Sequence, residues 1–95
     1  MNKIPYDQRV QTYTNALIHF GKANQLIVAL EELSECQKEV CKVMRGESNL
    51  SHLAEEIADA TIMLEQVRLM FGLNELVCEK MDEKVKRLDD RLKGG

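Results

Sequence analysis

Two short stretches of the chain carry carboxylates at helix spacing. In ALEELSECQKEV, residues 29–40, Glu32 and Glu35 stand three positions apart, and in HLAEEIADATIML, residues 52–64, Glu56 and Asp59 repeat the spacing. Side chains at i and i+3 of a helix converge on one face, one turn apart. Two packed antiparallel helices bearing such pairs would gather four carboxylates into one cage of oxygens. Without a counterion the cage repels itself, so it asks for a hard cation. Mg2+ matches, because it takes oxygen ligands and is commonly completed by waters and substrate phosphates, and Mn2+ can substitute. Zinc is less apt, since the cysteines and histidines are scattered. A carboxylate-bridged di-iron centre needs Glu-x-x-His, whereas Ala16 precedes His19 and Asn49 precedes His52 at that spacing.

A solvated acidic face is the plainer reading for the first stretch. At 100° per residue, Glu32, Glu35 and Glu39 fall within roughly 60° of one another, opposite a stripe of Leu26, Leu30, Leu33, Val40 and Met44. The second stretch resists that reading. Glu56 and Asp59 project between the stripe Leu53, Ile57, Ala60, Leu64, Val67, Phe71 and an edge formed by Met63 and Met70. An ionised carboxylate with apolar neighbours is costly unless paired or metal-bound.

The elements that must position these groups are helices throughout. Gly46 follows the basic turn Lys42–Arg45, Gly72 follows Met70–Phe71, and Ser51 and Asn74 stand where N-caps belong. These signals predict helices at about 6–20, 23–45, 52–71 and 74–92, with GESNLS, residues 46–51, as the only sizeable loop and Gly94–Gly95 as a frayed tail. The expected fold is all-α, a small four-helix bundle-type single domain over residues 1–95. The third helix also carries Ala54, Ala58, Thr61, Ile62 and Leu69 away from its main stripe, so other helices must enclose it. In the last helix Val77, Met81, Val85, Leu88 and Leu92 form a coiled-coil-like seam, bordered by Lys80, Lys84, Arg87 and Arg91. That basic stripe is placed to meet the acidic cage or phosphates held by it.

Glu-x-x-Glu, about twenty residues, then Glu-x-x-Asp on the next helix resembles the MazG-like all-α NTP pyrophosphohydrolases. The lead-in GKANQLIVALEELSE, with Gln25 about six positions before the double glutamate, resembles the same family, and the likeness covers residues from about 22 to 92. The last helix departs from it, having no asparagine after Asn74, and the first helix has no tryptophan. The resemblance implies Mg2+-dependent hydrolysis of nucleoside triphosphates between the α- and β-phosphates. It implies Glu32, Glu35, Glu56 and Asp59 as metal ligands, with Glu35 also orienting the attacking water. Lys84, Arg87 and Arg91 would hold phosphates, Gln25 and His19 would face the base, and a homodimer or homotetramer is implied. Two alternatives stand beside it: a pyrophosphohydrolase specialised for phosphoribosyl-ATP or a modified nucleotide, and a catalytically silent helical interaction module.

Composition is compatible with these readings and excludes others. A formal charge of −3 gives no broad attraction to nucleic acid or an anionic membrane. No apolar run approaches the ~20 residues of a membrane span, and no signal-peptide core opens the chain, so a cytoplasmic location is expected. Three cysteines without CxxC spacing read as reduced, buried, inert thiols.

Overall fold

The computed structural model describes residues 3–47 and 49–94. They form four helices, α1 (Tyr6–Phe20), α2 (Lys22–Met44), α3 (Leu50–Met70) and α4 (Asn74–Leu92), with no strand. The architecture is all-α, a small four-helix bundle-type domain, as the glycine punctuation and apolar periodicity predict.

Two of the glycines stop helices by the same device. Gly46 and Gly72 adopt φ of 73° and 63°, a left-handed conformation that a Cβ disfavours. Beyond each, the chain folds back: the Glu47 amide donates to the Lys42 carbonyl at 2.9 Å and the Leu73 amide to the Arg68 carbonyl at 2.8 Å. The helix starts differ from expectation. Asn49, not Ser51, caps α3, its side-chain oxygen accepting the His52 amide at 2.7 Å. Asn74 is the first residue of α4 rather than its cap, and its Oδ1 accepts from Arg68 Nε at 3.1 Å. Of the expected loop and tail, Ser48 and Gly95 lie outside the described residues.

α2 and α3 form the heart of the molecule as an antiparallel hairpin. Its register can be read from three polar pairs. Gln25 donates to Gln66 at 2.7 Å, Glu32 meets Asp59, and Glu39 lies 3.8 Å from His52 Nε2. Each step of seven residues along α2 answers a step of seven backwards along α3, two turns per step. Ala29, Ala60, Met63 and Met70 fill the spaces between. Replacing Gln25 alone by Leu would orphan the Gln66 amide and cost about 1–3 kcal/mol, whereas Gln25→Leu with Gln66→Leu would come close to neutral. A double-mutant cycle by urea unfolding measures the difference.

This register reverses the outward reading of the α2 acids. Glu39 is buried and Glu32 half-buried, because the hairpin closes along the acidic edge. The stripe expected to make the core is instead open in the single chain, with Leu30 69% exposed. α1 lies across both helices and is anchored to α3 by Tyr13, whose hydroxyl donates to Glu65. Burial, then that hydrogen bond and the Glu65 charge, raise the Tyr13 pKa to about 12. Tyr13→Phe is expected to cost about 1 kcal/mol in urea unfolding.

α4 packs against α3 only near its start. Every described residue from Cys78 onward is exposed, including the seam residues Met81, Val85, Leu88 and Leu92. The radius of gyration is accordingly 16.1 Å, against about 12 Å for a compact domain of this length. The basic stripe therefore does not reach the acidic edge within one chain. Nor are the thiols uniformly buried. All three are free, but Cys41 and Cys78 are exposed, and Arg68 Nη2 lies 3.3 Å from Cys78 Sγ.

Candidate metal centre

The middle of the hairpin brings three carboxylates together. One oxygen each from Glu32, Glu56 and Asp59 lies within 4.8 Å of the others. Glu32 comes from the inner edge of α2, and Glu56 and Asp59 from consecutive turns of α3. The spacing of three, read across the helix register, is what produces this convergence. Glu35 lies outside the group and is exposed, one turn along α2, where its charge still bears on Glu32.

The electrostatics are those of acids crowded together. Burial raises the Glu32 pKa first, followed by the charges of Asp59, Glu56 and Glu35, and a hydrogen bond to Asp59 holds the proton further. Glu56 Oε2 is buried with no hydrogen-bond partner. A buried carboxylate oxygen left without a donor is costly, and a cation would satisfy it. The donor set is all-oxygen, which suits Mg2+ or Mn2+ and leaves space for water and phosphate oxygens. The residues present therefore fit the implied metal.

A neighbouring group went unrecognised in the sequence. His52 Nε2 lies 3.8 Å from both Glu39 Oε2 and Glu56 Oε1, and Lys42 Nζ lies 3.8 Å from Glu39. The imidazole thus bridges the deepest acid of α2 to a member of the cluster. The seven-residue spacing of Gln25, Glu32 and Glu39, matched by His52, Asp59 and Gln66, was the signal that could have found it.

The remaining expected site residues are more dispersed. Lys84, Arg87 and Arg91 are exposed on the projecting α4. Gln25 is buried in the hairpin with its amide on Gln66, and His19 is exposed, packed edge-on against Phe20 at 4.6 Å. A cleft of about 500 Å³ opens between α1 and α3, lined by Gln8, Thr12, Tyr13, Ala58, Thr61 and Ile62 among others. None of Glu32, Glu56 and Asp59 lines this cleft, which lies on the α1 side of α3.

The raised pKa has a testable sign. The folded protein holds a proton on Glu32 that the unfolded chain releases near 4.5, so folding binds more protons above that pH. In chelator, this site's contribution to stability falls as pH rises from about that value through the elevated folded pKa. Glu32→Gln removes the dependence. The check is the difference between wild-type and Glu32→Gln melting temperatures across pH 4 to 8, which should change sign of slope when Mg2+ is supplied, because metal binds the deprotonated acids.

Compared with known proteins, the chain matches no protein-family model, no curated protein and no solved structure. Among the described residues, no helix is long and apolar enough to cross a membrane.

Proposed function

We propose that this protein is a Mg2+-dependent nucleoside triphosphate pyrophosphohydrolase, cleaving between the α- and β-phosphates to give a nucleoside monophosphate and pyrophosphate. The observation that carries the reading is the convergence of Glu32, Glu56 and Asp59 around a buried Glu56 oxygen with no partner. Buried oxygens of structural acids are normally satisfied by donors, and Glu56 Oε2 is not.

In this account Glu32, Glu56 and Asp59 would hold the metal, and Glu35 would complete the set from the exposed side. When bound, Mg2+ supplies neutralisation of the triphosphate and acidification of a coordinated water. Glu35, open to solvent one turn from Glu32, would orient an attacking water towards the α-phosphorus and take up its proton. His52 sets the position of Glu56 through its contact with Oε1. The cleft between α1 and α3 is of a size that accommodates a nucleobase, with Thr12, Thr61 and Gln8 offering polar groups on an apolar wall. Lys84, Arg87 and Arg91 clamp phosphates from the α4 of a neighbouring copy, because α4 stands away from the acids of its own chain. The working enzyme is then a cytoplasmic homodimer or homotetramer.

Hydrolysis in water enriched in heavy oxygen tests the bond cleaved. The label is expected in the monophosphate, and label in pyrophosphate or in orthophosphate would refute attack at the α-phosphorus. Including phosphoribosyl-ATP among the substrates separates a specialised enzyme from a general one. Arg87→Ala is expected to raise the KM for the nucleotide about tenfold or more, the loss of one charge-assisted phosphate contact, with little change in fold stability.

A further inference from the structure

α1 and α4 both pack on α3 without packing on each other, and the gap they leave is a cavity of about 490 Å³. That volume falls in the range of small-molecule sites. None of Glu32, Glu56 and Asp59 lines it, and Arg9, Tyr13 and Glu65 form a wall that it shares with the cleft described above.

The charged groups of the cavity are not equivalent. Arg9 lies 3.7 Å from Glu65, which also accepts the Tyr13 hydroxyl, so this cation and this acid answer each other. Arg68, by contrast, meets no carboxylate within ion-pair reach among the described residues. It is half-buried and gripped along one edge. Its Nε donates to Asn74 Oδ1 at 3.1 Å and its Nη2 lies 3.3 Å from Cys78 Sγ, one turn further along α4. A guanidinium is a planar fork of five N–H donors, so the end formed by Nη1 and the second Nη2 proton is left over, held at a fixed angle. That end matches the two oxygens of a carboxylate. No side chain caps the start of α4 beside it, and the free amides there add partial positive charge. Val10, Leu69 and the ring of Tyr6, 67% exposed, supply an apolar wall around this head.

We propose that the cavity binds a small organic acid, with one carboxylate on Arg68 and an apolar body of benzyl or isobutyl size against Val10, Leu69 and Tyr6. A phosphate ester is the poorer occupant. One open guanidinium stands there beside two acids, Glu65 and Glu75, which repel a doubly charged head more than a singly charged one. Plain carboxylic acids and α-amino acids share the required chemistry. They differ at Glu75, which is exposed in the first turn of α4 and would face an ammonium group.

The site goes beyond the hydrolytic reading and shares no residue with the acid cluster, so its test uses neither Mg2+ nor nucleotide. Phenylpropanoate and free phenylalanine, which differ by the ammonium group, are titrated into the nitrogen-labelled chain and followed by NMR. At least one should move the Tyr6, Leu69 and Asn74 amides saturably, with a Kd of about 1 mM or tighter. Tighter binding of phenylalanine identifies an amino acid as the natural class, and tighter binding of phenylpropanoate a plain acid. No saturable movement from either at about 10 mM, or equal movement by inorganic phosphate, would overturn the proposal. Arg68→Lys keeps the charge but loses the fork, and should weaken binding about tenfold or more. Because that change also releases Asn74 and Cys78, Val10→Trp provides the second variant: it fills the cavity from the α1 side, leaves the Arg68 contacts in place and should abolish binding. Unchanged binding in either variant, with helicity intact by circular dichroism, would overturn the assignment.

Discussion

Glu56→Gln and Asp59→Asn are each expected to abolish pyrophosphate release while leaving the metal-free protein at least as stable as the wild type. Either change would remove a proposed metal ligand, and a loss on the order of a thousandfold corresponds to about 4 kcal/mol of transition-state stabilisation. The stability half of the prediction follows from what surrounds the acids. Glu32 is driven towards its protonated form by burial and by the charges of Asp59, Glu56 and Glu35. Removing one of those charges relieves repulsion. The reverse outcome would require the acids to be structural, tied to cations whose loss would leave buried charge uncompensated. Among the described residues no ion pair links Glu56 or Asp59 to α4, and His52, 3.8 Å from Glu56, is the nearest cationic group when protonated. Activity kinetics and urea unfolding in chelator, run on the same preparations, measure both halves.

Mg2+ or Mn2+ is expected to raise the melting temperature by about 10–20 °C at a hundredfold excess over its dissociation constant, since binding to the folded state alone would then contribute about 2.7 kcal/mol. The effect should grow when a nucleotide is present and shrink below the carboxylate range, where protons compete with metal. Glu32→Gln should remove most of it. Differential scanning calorimetry with and without chelator reads the shift, and the absence of any shift at millimolar Mg2+ would contradict the metal assignment for Glu32, Glu56 and Asp59.

How much of this was legible in the sequence depended on the range of the signal. The helices were written locally, in Gly46 and Gly72, whose positive φ ends α2 and α3, and in apolar periodicity. Helix starts were less so, because Asn49 and Ser51 are both good caps and the choice depends on how tightly the preceding turn closes. The i, i+3 pair of α3 brought Glu56 and Asp59 together and Glu32 joined them because the hairpin closed on it, whereas Glu35, the other half of the α2 pair, stayed outside. That proviso is where a one-chain wheel misleads. The stripe of Leu30, Val40 and Met44 looked like the core because it is the most apolar side of α2, yet within the chain α3 packs beside it. Apolarity marks what must be covered, not by which chain. The same ambiguity displaced Lys84, Arg87 and Arg91, whose placement depends on where α4 docks. Glu39 and His52 were missed because neither belongs to a short motif; only the cross-helix register joins them.

The measurement that bears most directly on the account is pyrophosphate release by the wild-type chain across the eight common ribo- and deoxyribonucleoside triphosphates and phosphoribosyl-ATP, with Mg2+ and again with chelator. The account predicts that at least one of these yields its monophosphate and pyrophosphate in Mg2+ and that chelator stops the reaction. No turnover of any of them by the folded, Mg2+-loaded protein, or turnover undiminished by chelator, would contradict it.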